Sequence, residues 1–575
     1  MALRVRRGRQ PLLIVAPHGG RRHPGRRPWT SGALRVNDLH TADLAWDLAE
    51  QLDADALVND EVDRNDLDLN RITQIRARAP WFLDELAEHL ESVRQRQGAA
   101  VLFVHGWNVG NPICDVGLGV PLDRPGREAD EPDPPVPPGP QPPLSIDAAF
   151  LSERIAPLRR ACAERGIATG LGWRYPASSP TNLLQLFTRR YHDDPDARLS
   201  RLARLGQGIN AVQLELGIPL RFPGAWRTRF VDACVETFTA SPSPAAPAPP
   251  GPSALHAAGP ATIAGAGDLP RRVAMQFHRP DGAIAGLIAC DLDAKGASGR
   301  LLLLPAAGGL YLYTGEAPAG AGLRIGPLAM DSETPDSVTL RFAGPLLRFD
   351  DTTPFLDLEV GLAAARLCEV SIELRFLRAA ADGTADARAP GAEVWPFHRS
   401  ATGFGRVTGS VTGIEEPCER GAEHGRRARR SGDGATCDLS GHAFLDCEDS
   451  ARGMFALAAS IPAAPSGALR ILVPRRGQPV AYRYRADGRD QLSVESVCYE
   501  ERRSADVAAP FRVILRDSSG RTLEVRGTPG ASIPVVRQLP RGRTARYDLA
   551  FCRYREDGAD AGSGWTETSI GPDGS

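Results

Sequence analysis

Residues 11–20 read PLLIVAPHGG, a short apolar run that ends in a proline, a histidine and two glycines. A run of this length next to turn-forming residues predicts a buried β-strand at 11–16. In an open α/β sheet, ligands bind outside the carboxyl ends of the strands, and glycine there lets backbone and ligand approach closely. The stretch therefore predicts an α/β domain with His18 in its functional crevice.

The rest of the first 240 residues alternates short apolar runs with segments of helical period. We expect further strands at 56–58, 99–104, 167–170 and 211–216, and helices at 41–52, 81–96, 146–165, 199–205 and 225–239. Leu44, Leu48 and Leu52, for example, lie on one helix face because they are spaced at i, i+4 and i+8. Such alternation favours a mostly parallel sheet covered by helices.

Two proline-rich segments divide the chain. Residues 123–144 contain EPDPPVPPGPQPP and predict an insert in the α/β domain, whereas SPSPAAPAPPGPS at 241–253 predicts an interdomain linker. Proline lacks a backbone N–H and favours extended backbone, so neither segment can build a helix or a strand ladder. The first domain is therefore expected to span residues 1–240.

The sequence changes character after the linker. Short alternating runs separated by Asp-Gly, Gly-Arg and proline-containing turns replace the α/β pattern. This spacing is typical of antiparallel barrels or sandwiches. We expect an all-β half made of two units, at 254–396 and 397–575.

Composition narrows the class of partner. The 68 Lys and Arg residues nearly balance the 70 Asp and Glu residues, so no global field attracts nucleic acid, and a small-molecule substrate is expected. The ten cysteines lack CxxC spacing, which argues against a disulfide framework or a zinc knuckle. No run approaches the roughly 20 apolar residues of a membrane span, so we expect a cytoplasmic protein.

Histidine follows two of the expected strands. His105, in VHGWN, repeats the position of His18, and each is followed by glycine. Imidazole suits zinc, and a catalytic zinc takes three protein ligands. The expected third ligand is His23, five residues beyond His18; Asp38 and His40 are weaker candidates. A zinc site with His18, His23 and His105 is therefore predicted, against the simpler interpretation that each histidine is a hydrogen-bonded loop residue.

Two further polar features point toward this crevice. Glu215 lies in an otherwise apolar strand, where a carboxylate is costly unless it is paired or faces a site. It would act as a general base, or form a structural ion pair, for example with Arg221. Asn70 and Arg71 place an amide beside a guanidinium, which fits capture of a substrate carboxylate; the alternative is a solvated loop held by its own Asp–Arg pairs.

Four motifs in this half resemble one known family. They occur in the order of N-formylglutamate amidohydrolase-like proteins, whose fold is similar to that of zinc carboxypeptidases: Pro17-His18-Gly19-Gly20, Asp68-Leu69-Asn70-Arg71, Val104-His105-Gly106 and Gln213-Leu214-Glu215. The resemblance implies hydrolysis of an amide bond in a small carboxylate-bearing substrate by one zinc ion. It implies His18 and His105 as ligands, Glu215 as the base, and Asn70 and Arg71 as the carboxylate-binding pair.

The loop after the His-Gly-Gly motif departs from that family. Relatives usually supply a glutamate ligand there, whereas this chain reads Arg21-Arg22-His23-Pro24. Either His23 replaces the carboxylate or the metal site is degraded. Three neutral histidines would also leave the bound zinc more positive than a site with one carboxylate.

The β half resembles the tandem lipocalin-like proteins related to hydroxyneurosporene hydratases and tocopherol cyclases. The resemblance is carried by short patterns: Gly405-Arg406-Val407-Thr408-Gly409, Gly441-His442-Ala443-Phe444-Leu445-Asp446 and Gly564-Trp565-Thr566-Glu567. It implies that each barrel would enclose an apolar ligand. His442 and Asp446 are expected to be structural. The alternative to the enzyme hypothesis is therefore a non-catalytic ligand-binding protein with a degenerate hydrolase domain.

Overall fold

The computed structural model describes most of the α/β half and the strands of the β half. The described residues are 3–22, 35–120, 144–239, 272–279, 282–293, 296–306, 308–318, 323–334, 337–350, 358–381, 402–414, 435–446, 453–461, 467–474, 480–485, 488–499, 510–539, 543–556 and 559–570. They form two compact units, one before and one after the linker. His23, the linker and all but the last residue of the predicted insert lie outside the described residues.

The first unit is built on a mixed seven-stranded sheet of order β1-β3-β2-β4-β7-β5-β6. Its strands are β1 (Leu3–Arg6), β2 (Leu12–Ala16), β3 (Asp55–Asn59), β4 (Ala100–Trp107), β5 (Ile113–Gly117), β6 (Ala168–Gly170) and β7 (Asn210–Gly217). The pairs β2–β3, β2–β4, β4–β7 and β5–β6 are parallel, and β1–β3 and β5–β7 are antiparallel. The central strands β2, β4 and β7 therefore end at one common edge.

Eight helices accompany this sheet in the described residues. They are α1 (Thr41–Gln51), α2 (Ile72–Arg78), α3 (Pro80–Arg94), α4 (Ala148–Phe150), α5 (Ala156–Glu164), α6 (Ala197–Gly206), α7 (Ile218–Arg221) and α8 (Ala225–Thr239). A π-helical turn, Leu151–Ile155, joins α4 to α5, and a 3₁₀ helix spans Leu183–Phe187. The predicted α/β layout is confirmed, although the sequence did not predict β1, β5 or α2, and the sheet carries two antiparallel pairings.

The sheet is covered on both faces, which explains the uninterrupted apolar run at 12–16. Ile14 and Ala16 pack into a core with α1, α5 and α8. Leu13 and Val15 point the other way, into a core with α2, α3 and α6. Because successive strand residues face opposite sides, a strand buried on both faces is apolar at every position.

The two glycines after His18 allow the turn to pack against the loop that follows β3. A Cβ atom added to Gly19 would lie 2.6 Å from the carbonyl oxygen of Asn59, and one added to Gly20 would lie 1.9 Å from that of Val62. Real Cβ atoms do not approach backbone so closely. Glycine therefore permits a close approach of the protein's own backbone here, and the close approach of a ligand stays a prediction.

The second unit begins with an antiparallel ten-stranded sheet of order β11-β10-β9-β8-β17-β16-β15-β14-β13-β12. Its strands are β8 (Arg272–His278), β9 (Ile284–Asp293), β10 (Gly296–Pro305), β11 (Leu310–Pro318), β12 (Arg324–Ile325), β13 (Leu328–Thr334), β14 (Ser337–Phe349), β15 (Arg366–Ala381), β16 (Thr402–Ile414) and β17 (Ala435–Asp446), with one helix, α9 (Leu358–Ala364). β11 also pairs with β14, so the sheet curls back on itself.

Eight strands form a closed barrel in the remainder of this unit. They are β18 (Gly453–Ile461), β19 (Gly467–Pro474), β20 (Val480–Arg485), β21 (Gly488–Tyr499), β22 (Phe511–Arg516), β23 (Thr522–Leu539), β24 (Arg543–Glu556) and β25 (Ala559–Ile570). Buried side chains, including Phe511 and Tyr554, form its apolar core. The all-β character and its antiparallel pairing are thus confirmed.

The break between the two β bodies differs from the predicted boundary at 396/397. β16 and β17 follow that boundary in the sequence, yet they pair with β15 and β8 of the first sheet. The break lies between β17 and β18. The length of this half, which is long for a single barrel, predicts two β units but does not fix where one ends, because strands pair with partners that are distant in the sequence. In the described residues, no helix combines the length and the apolar character needed to cross a lipid bilayer.

Candidate metal centre and its surroundings

Three buried side chains meet at the carboxyl edge of the central strands. His18 follows β2 and His105 lies near the end of β4, and these neighbouring strands run parallel. Asp38 lies in the turn before α1. The backbone N–H of Asp38 donates a hydrogen bond to the backbone carbonyl oxygen of His18 at 3.0 Å. The three residues are only 2–3% exposed. The fold therefore brings together His18 and His105, as the sequence predicted, and adds Asp38.

The ligand atoms of these residues form a nearly equilateral triangle. Nδ1 of His105 lies 3.2 Å from Nδ1 of His18 and 3.3 Å from Oδ2 of Asp38. Nδ1 of His18 lies 3.3 Å from the same oxygen of Asp38. They are the one group of three or more potential ligand residues found among the described residues.

Asp38 is held firmly in this position. Its Oδ2 accepts a hydrogen bond from the backbone N–H of Gly106 at 3.0 Å, and its Oδ1 accepts one from Arg64 at 2.9 Å. A Cβ atom on Gly106 would lie 3.0 Å from the Cβ of Asp38 and 3.0 Å from Cζ of Arg221. The glycine after His105 therefore makes room for both charged side chains beside the strand.

Asp68 orients His18 from the other side of the ring. Oδ1 of Asp68 lies 2.6 Å from Nε2 of His18 and also accepts the backbone N–H of Asn70 at 2.9 Å. Burial acts to raise the pKa of Asp68, but the His18 ring outweighs it and lowers that pKa far below its usual range. The carboxylate is therefore ionised, so it holds the Nε2 proton of His18 and leaves Nδ1 for the triangle.

The two histidines differ in protonation. Burial and the Arg64 charge act to lower the pKa of His18, yet Asp68 and Asp38 outweigh them and raise it above its usual value. Burial lowers the pKa of His105 to about 4. His105 is thus a neutral imidazole near pH 7, whereas the surroundings of His18 favour positive charge.

The donor set fits a zinc ion. Two ligand atoms at about 2.0–2.2 Å from a tetrahedral ion lie about 3.3–3.5 Å apart, close to the edges of the observed triangle. Charge-assisted hydrogen bonds are shorter, at about 2.7–2.9 Å, so the triangle is wider than direct pairing requires. Nε2 of His105 has no hydrogen-bond partner among the described residues. Among the described residues, the His105 ring therefore makes its polar contacts through Nδ1, the atom that faces the other two ligands.

Glu215 lies beside His105 on the adjacent strand. The β4–β7 register pairs His105 with Glu215, so both side chains leave the sheet on the same face. Glu215 is 7% exposed, and its Oε1 accepts a hydrogen bond from Nε2 of Gln213 at 2.9 Å. Its charge also favours the protonated forms of Arg64 and Arg221. Glu215 therefore shares a sheet face with His105, and its roles as base or as ion-pair partner both stay predictions.

Arg71 lies close to Asp68 and next to a second loop. Its guanidinium donates to Oγ of Ser179 at 3.1 Å and to Oγ1 of Thr181 at 3.2 Å, and its Nε lies 3.9 Å from Asp68. Asn70 is buried, and its backbone carbonyl oxygen accepts a hydrogen bond from the backbone N–H of Leu183. Arg71 is thus connected to the triangle by way of Asp68 and is only partly exposed, and its role with Asn70 in binding a substrate carboxylate stays a prediction.

The remaining candidates have different outcomes. His40, a weaker candidate, packs its ring against Phe222 at 4.5 Å and is absent from the triangle. His23 lies outside the described residues, so its role as third ligand stays a prediction. Asp68 was part of a motif but was given no role. The sequence favours His23 over Asp38 as the third ligand because His23 follows His18 on the same loop, whereas the structure places Asp38 in the triangle.

An aromatic loop borders the end of β4. The carboxylate of Asp115 accepts three consecutive backbone N–H groups, from Trp173, Arg174 and Tyr175, at 2.7–3.0 Å. The rings of Trp173 and Tyr175 contact Trp107, which lies two residues after His105, at 5.5 and 5.4 Å. The loop after β6 is therefore fixed beside the predicted crevice.

Comparisons with known proteins returned only distant structural neighbours. No protein-family model and no curated protein matches the sequence. The AttH structure from Nitrosomonas europaea has 16% identity and a TM-score of 0.31, and the match covers 52% of this chain and 90% of AttH. CghA bound to Sch210972 has 11% identity and a TM-score of 0.31, covering 52% of this chain and 86% of CghA.

Kievitone hydratase from Nectria haematococca has 13% identity and a TM-score of 0.31, with coverage of 52% and 88%. These three neighbours are lipocalin-like proteins. At such scores and identities the likeness says nothing about the activity of this chain. The resemblance to N-formylglutamate amidohydrolases gains no support from these comparisons and stays a prediction.

Proposed function

We propose that the first unit is a zinc-dependent hydrolase that cleaves an amide bond of a small carboxylate-bearing substrate. One observation carries the proposal: two Nδ1 atoms and one carboxylate oxygen face one another at 3.2–3.3 Å at the carboxyl edge of a buried sheet. Three protein ligands with a fourth position left open is the arrangement of catalytic zinc. One zinc ion would be held by His18, Asp38 and His105.

The surrounding residues have distinct tasks in this proposal. A bound zinc ion supplies a Lewis acid that polarises the substrate carbonyl. Asp68 keeps the His18 ring in the orientation that turns Nδ1 inward, and Arg64 and Gly106 hold Asp38. Because the carboxylate Asp38 replaces the glutamate of the related family, the site need not be a degraded one.

Glu215 would act as the base of the reaction. Its carboxylate takes a proton from the attacking water as the water oxygen bonds to the carbonyl carbon. The same proton then goes to the amide nitrogen as the C–N bond breaks, which yields a carboxylic acid and an amine. The second proton of the water then passes from the acid to the amine, which gives a carboxylate and an ammonium ion. Arg71 would hold the substrate's carboxylate by a charge-assisted hydrogen bond.

The β half has a separate place in the proposal. A curled ten-stranded sheet and a closed eight-stranded barrel support a lipocalin-like interpretation of both β bodies. Eight-stranded barrels have an interior that side chains fill or that holds one small ligand. An apolar ligand in this half stays a prediction, as does a non-catalytic binding role for the whole chain.

Metal content and turnover together test the enzyme proposal. Chain purified after zinc-replete expression should hold about one zinc per chain, and a His18→Ala/His105→Ala double variant should hold none. The wild-type chain should hydrolyse an N-acyl amino acid such as N-formyl-L-glutamate, and the double variant should not. Zinc-free wild-type protein, or equal zinc in both proteins, would contradict the proposal and favour the non-catalytic alternative.

A further inference from the structure

We infer that Asn182 and Gln213 are positioning residues that hold the Glu215 carboxylate in one orientation at the site. The structural part of this inference stands on hydrogen bonds and burial, and its catalytic part rests on the proposed function. Neither residue contacts the histidine triangle directly in any hydrogen bond described above. Both would act through Glu215.

A chain of three hydrogen bonds fixes the direction of each side chain. The backbone N–H of Leu184 donates to Oδ1 of Asn182 at 2.8 Å. A backbone N–H can only donate, so Asn182 must turn its Nδ2 the other way, where it donates to Oε1 of Gln213 at 3.0 Å. Gln213 then directs its Nε2 to Oε1 of Glu215 at 2.9 Å. The chain therefore ends as a donor aimed at the carboxylate.

Burial shows that the amides serve more than packing. Asn182 and Gln213 are each 2% exposed. Gln213 lies on the same sheet face as Ala211, and the β4–β7 register pairs it with Phe103. Ala211 and Phe103 both belong to an apolar core. An apolar side chain at this position would avoid the cost of burying an amide. What glutamine adds is a hydrogen-bond donor directed at Glu215.

Asn182 also links this series of hydrogen bonds to Arg71. The two residues form an isolated antiparallel bridge, and Ser179 and Thr181 beside Asn182 accept hydrogen bonds from the Arg71 guanidinium. One short loop thus contacts the predicted carboxylate-binding residue directly and reaches the predicted base through Gln213. The spacing between those two groups is set by this loop, as a reaction on one substrate requires.

Two near-isosteric variants test the inference. Asn182→Asp has no amide donor for Gln213, so the Gln213 amide should turn over and place its oxygen against Glu215. Gln213→Met keeps the length of the side chain but removes the donor without adding charge. The matched control is Asn210→Asp, at the other end of β7, which removes the donor to Oδ2 of Asp147 at 3.2 Å and leaves Glu215 untouched.

Crystal structures and kinetics provide independent readouts. We expect the Glu215 side chain to move in the two relay variants, Asn182→Asp and Gln213→Met, and to stay in place in the control. Zinc affinity should be unchanged in all three. With N-formyl-L-glutamate as the assay substrate, kcat should fall about 10- to 100-fold in the relay variants, because misplacing a catalytic group by about 1 Å can cost 100-fold.

The outcomes separate the inference from the proposed function. An unmoved Glu215 in both relay variants would overturn the inference, and so would a loss of zinc affinity as large as the loss of kcat, which indicates a merely structural role. A wild-type chain without hydrolytic activity would contradict the proposed function, while the position of Glu215 in the crystal structures would still decide whether Asn182 and Gln213 orient it.

Discussion

Replacing Asp68 with asparagine should weaken zinc binding although Asp68 is not a ligand. Its Oδ1 lies 2.6 Å from Nε2 of His18, and both residues are almost fully buried. Asparagine has no charge to hold the Nε2 proton and would present either a weaker acceptor or an amide donor. Nδ1 of His18 would then no longer be reserved for the metal.

The magnitude follows from the role of this contact. Loss of a carboxylate that orients a metal-binding histidine typically costs 10- to 100-fold in metal affinity, which corresponds to about 1.4–2.7 kcal/mol. We expect Asp68→Asn to raise the Kd for zinc by about that factor at neutral pH. Competition between the protein and a chromophoric zinc chelator measures the change directly.

Asp63→Asn is the matched control for this experiment. Asp63 is also a buried carboxylate in the loop after β3, 3% exposed, but it bonds to the side chains of Asn37 and Asn65. This variant should bind zinc as the wild-type chain does, apart from any effect of lost stability. Unaltered zinc affinity in Asp68→Asn, or an equal loss in Asp63→Asn, would refute the reasoning.

Three further outcomes are expected. Glu215→Gln should keep its zinc, measured by metal analysis, and lose kcat by about 100-fold or more, since a positioned base contributes on that scale; an unchanged rate would remove Glu215 from the mechanism. Arg71→Ala should raise KM for an anionic amide far more than for its methyl ester, and equal effects would exclude a carboxylate clamp. Burial acts to raise the pKa of Asp55, but hydrogen bonds from His89 and Gly8 outweigh it and lower that pKa. The stability that ionised Asp55 contributes is present above its pKa in the unfolded chain and is lost as pH falls through its lower pKa in the folded chain. The Tm values of wild type and Asp55→Asn should therefore converge below about pH 4. A difference in Tm that stays constant with pH would argue against the Asp55–His89 pair.

The sequence predicts the central sheet well because its strands are buried on both faces. Runs such as 12–16 and 100–104 are apolar throughout and end at turn-forming residues, so both period and boundaries are visible. β5 reads ICDVG, in which Asp115 interrupts the apolar run, and β1 pairs at an exposed edge, so neither produces a strong pattern. Their antiparallel direction depends on pairing across the sheet, which a linear pattern does not encode.

The candidate site was only partly predictable for a related reason. His18 and His105 follow strands that end at the same edge, so their meeting follows from the topology of a parallel sheet. Asp38 reaches them through the turn before α1, held by the backbone of His18 and Gly106. That contact depends on three-dimensional loop geometry, whereas the sequence favours His23, which follows His18 on the same loop.

The same limit applies to the β half. Alternating runs and turns indicate short antiparallel strands, and these are present. Which strands pair is decided by contacts between distant residues, such as β17 with β8 across more than one hundred and fifty positions, for example His442 with His278. The predicted boundary at 396/397 therefore lies inside the first β body rather than after it.

A crystal structure of zinc-loaded protein, with anomalous data collected at the zinc edge, tests the central claim most directly. We predict a single anomalous peak at about 2.0–2.2 Å from Nδ1 of His18, Nδ1 of His105 and Oδ2 of Asp38. A peak elsewhere, or no peak with the two imidazoles paired directly to Asp38, would contradict the account.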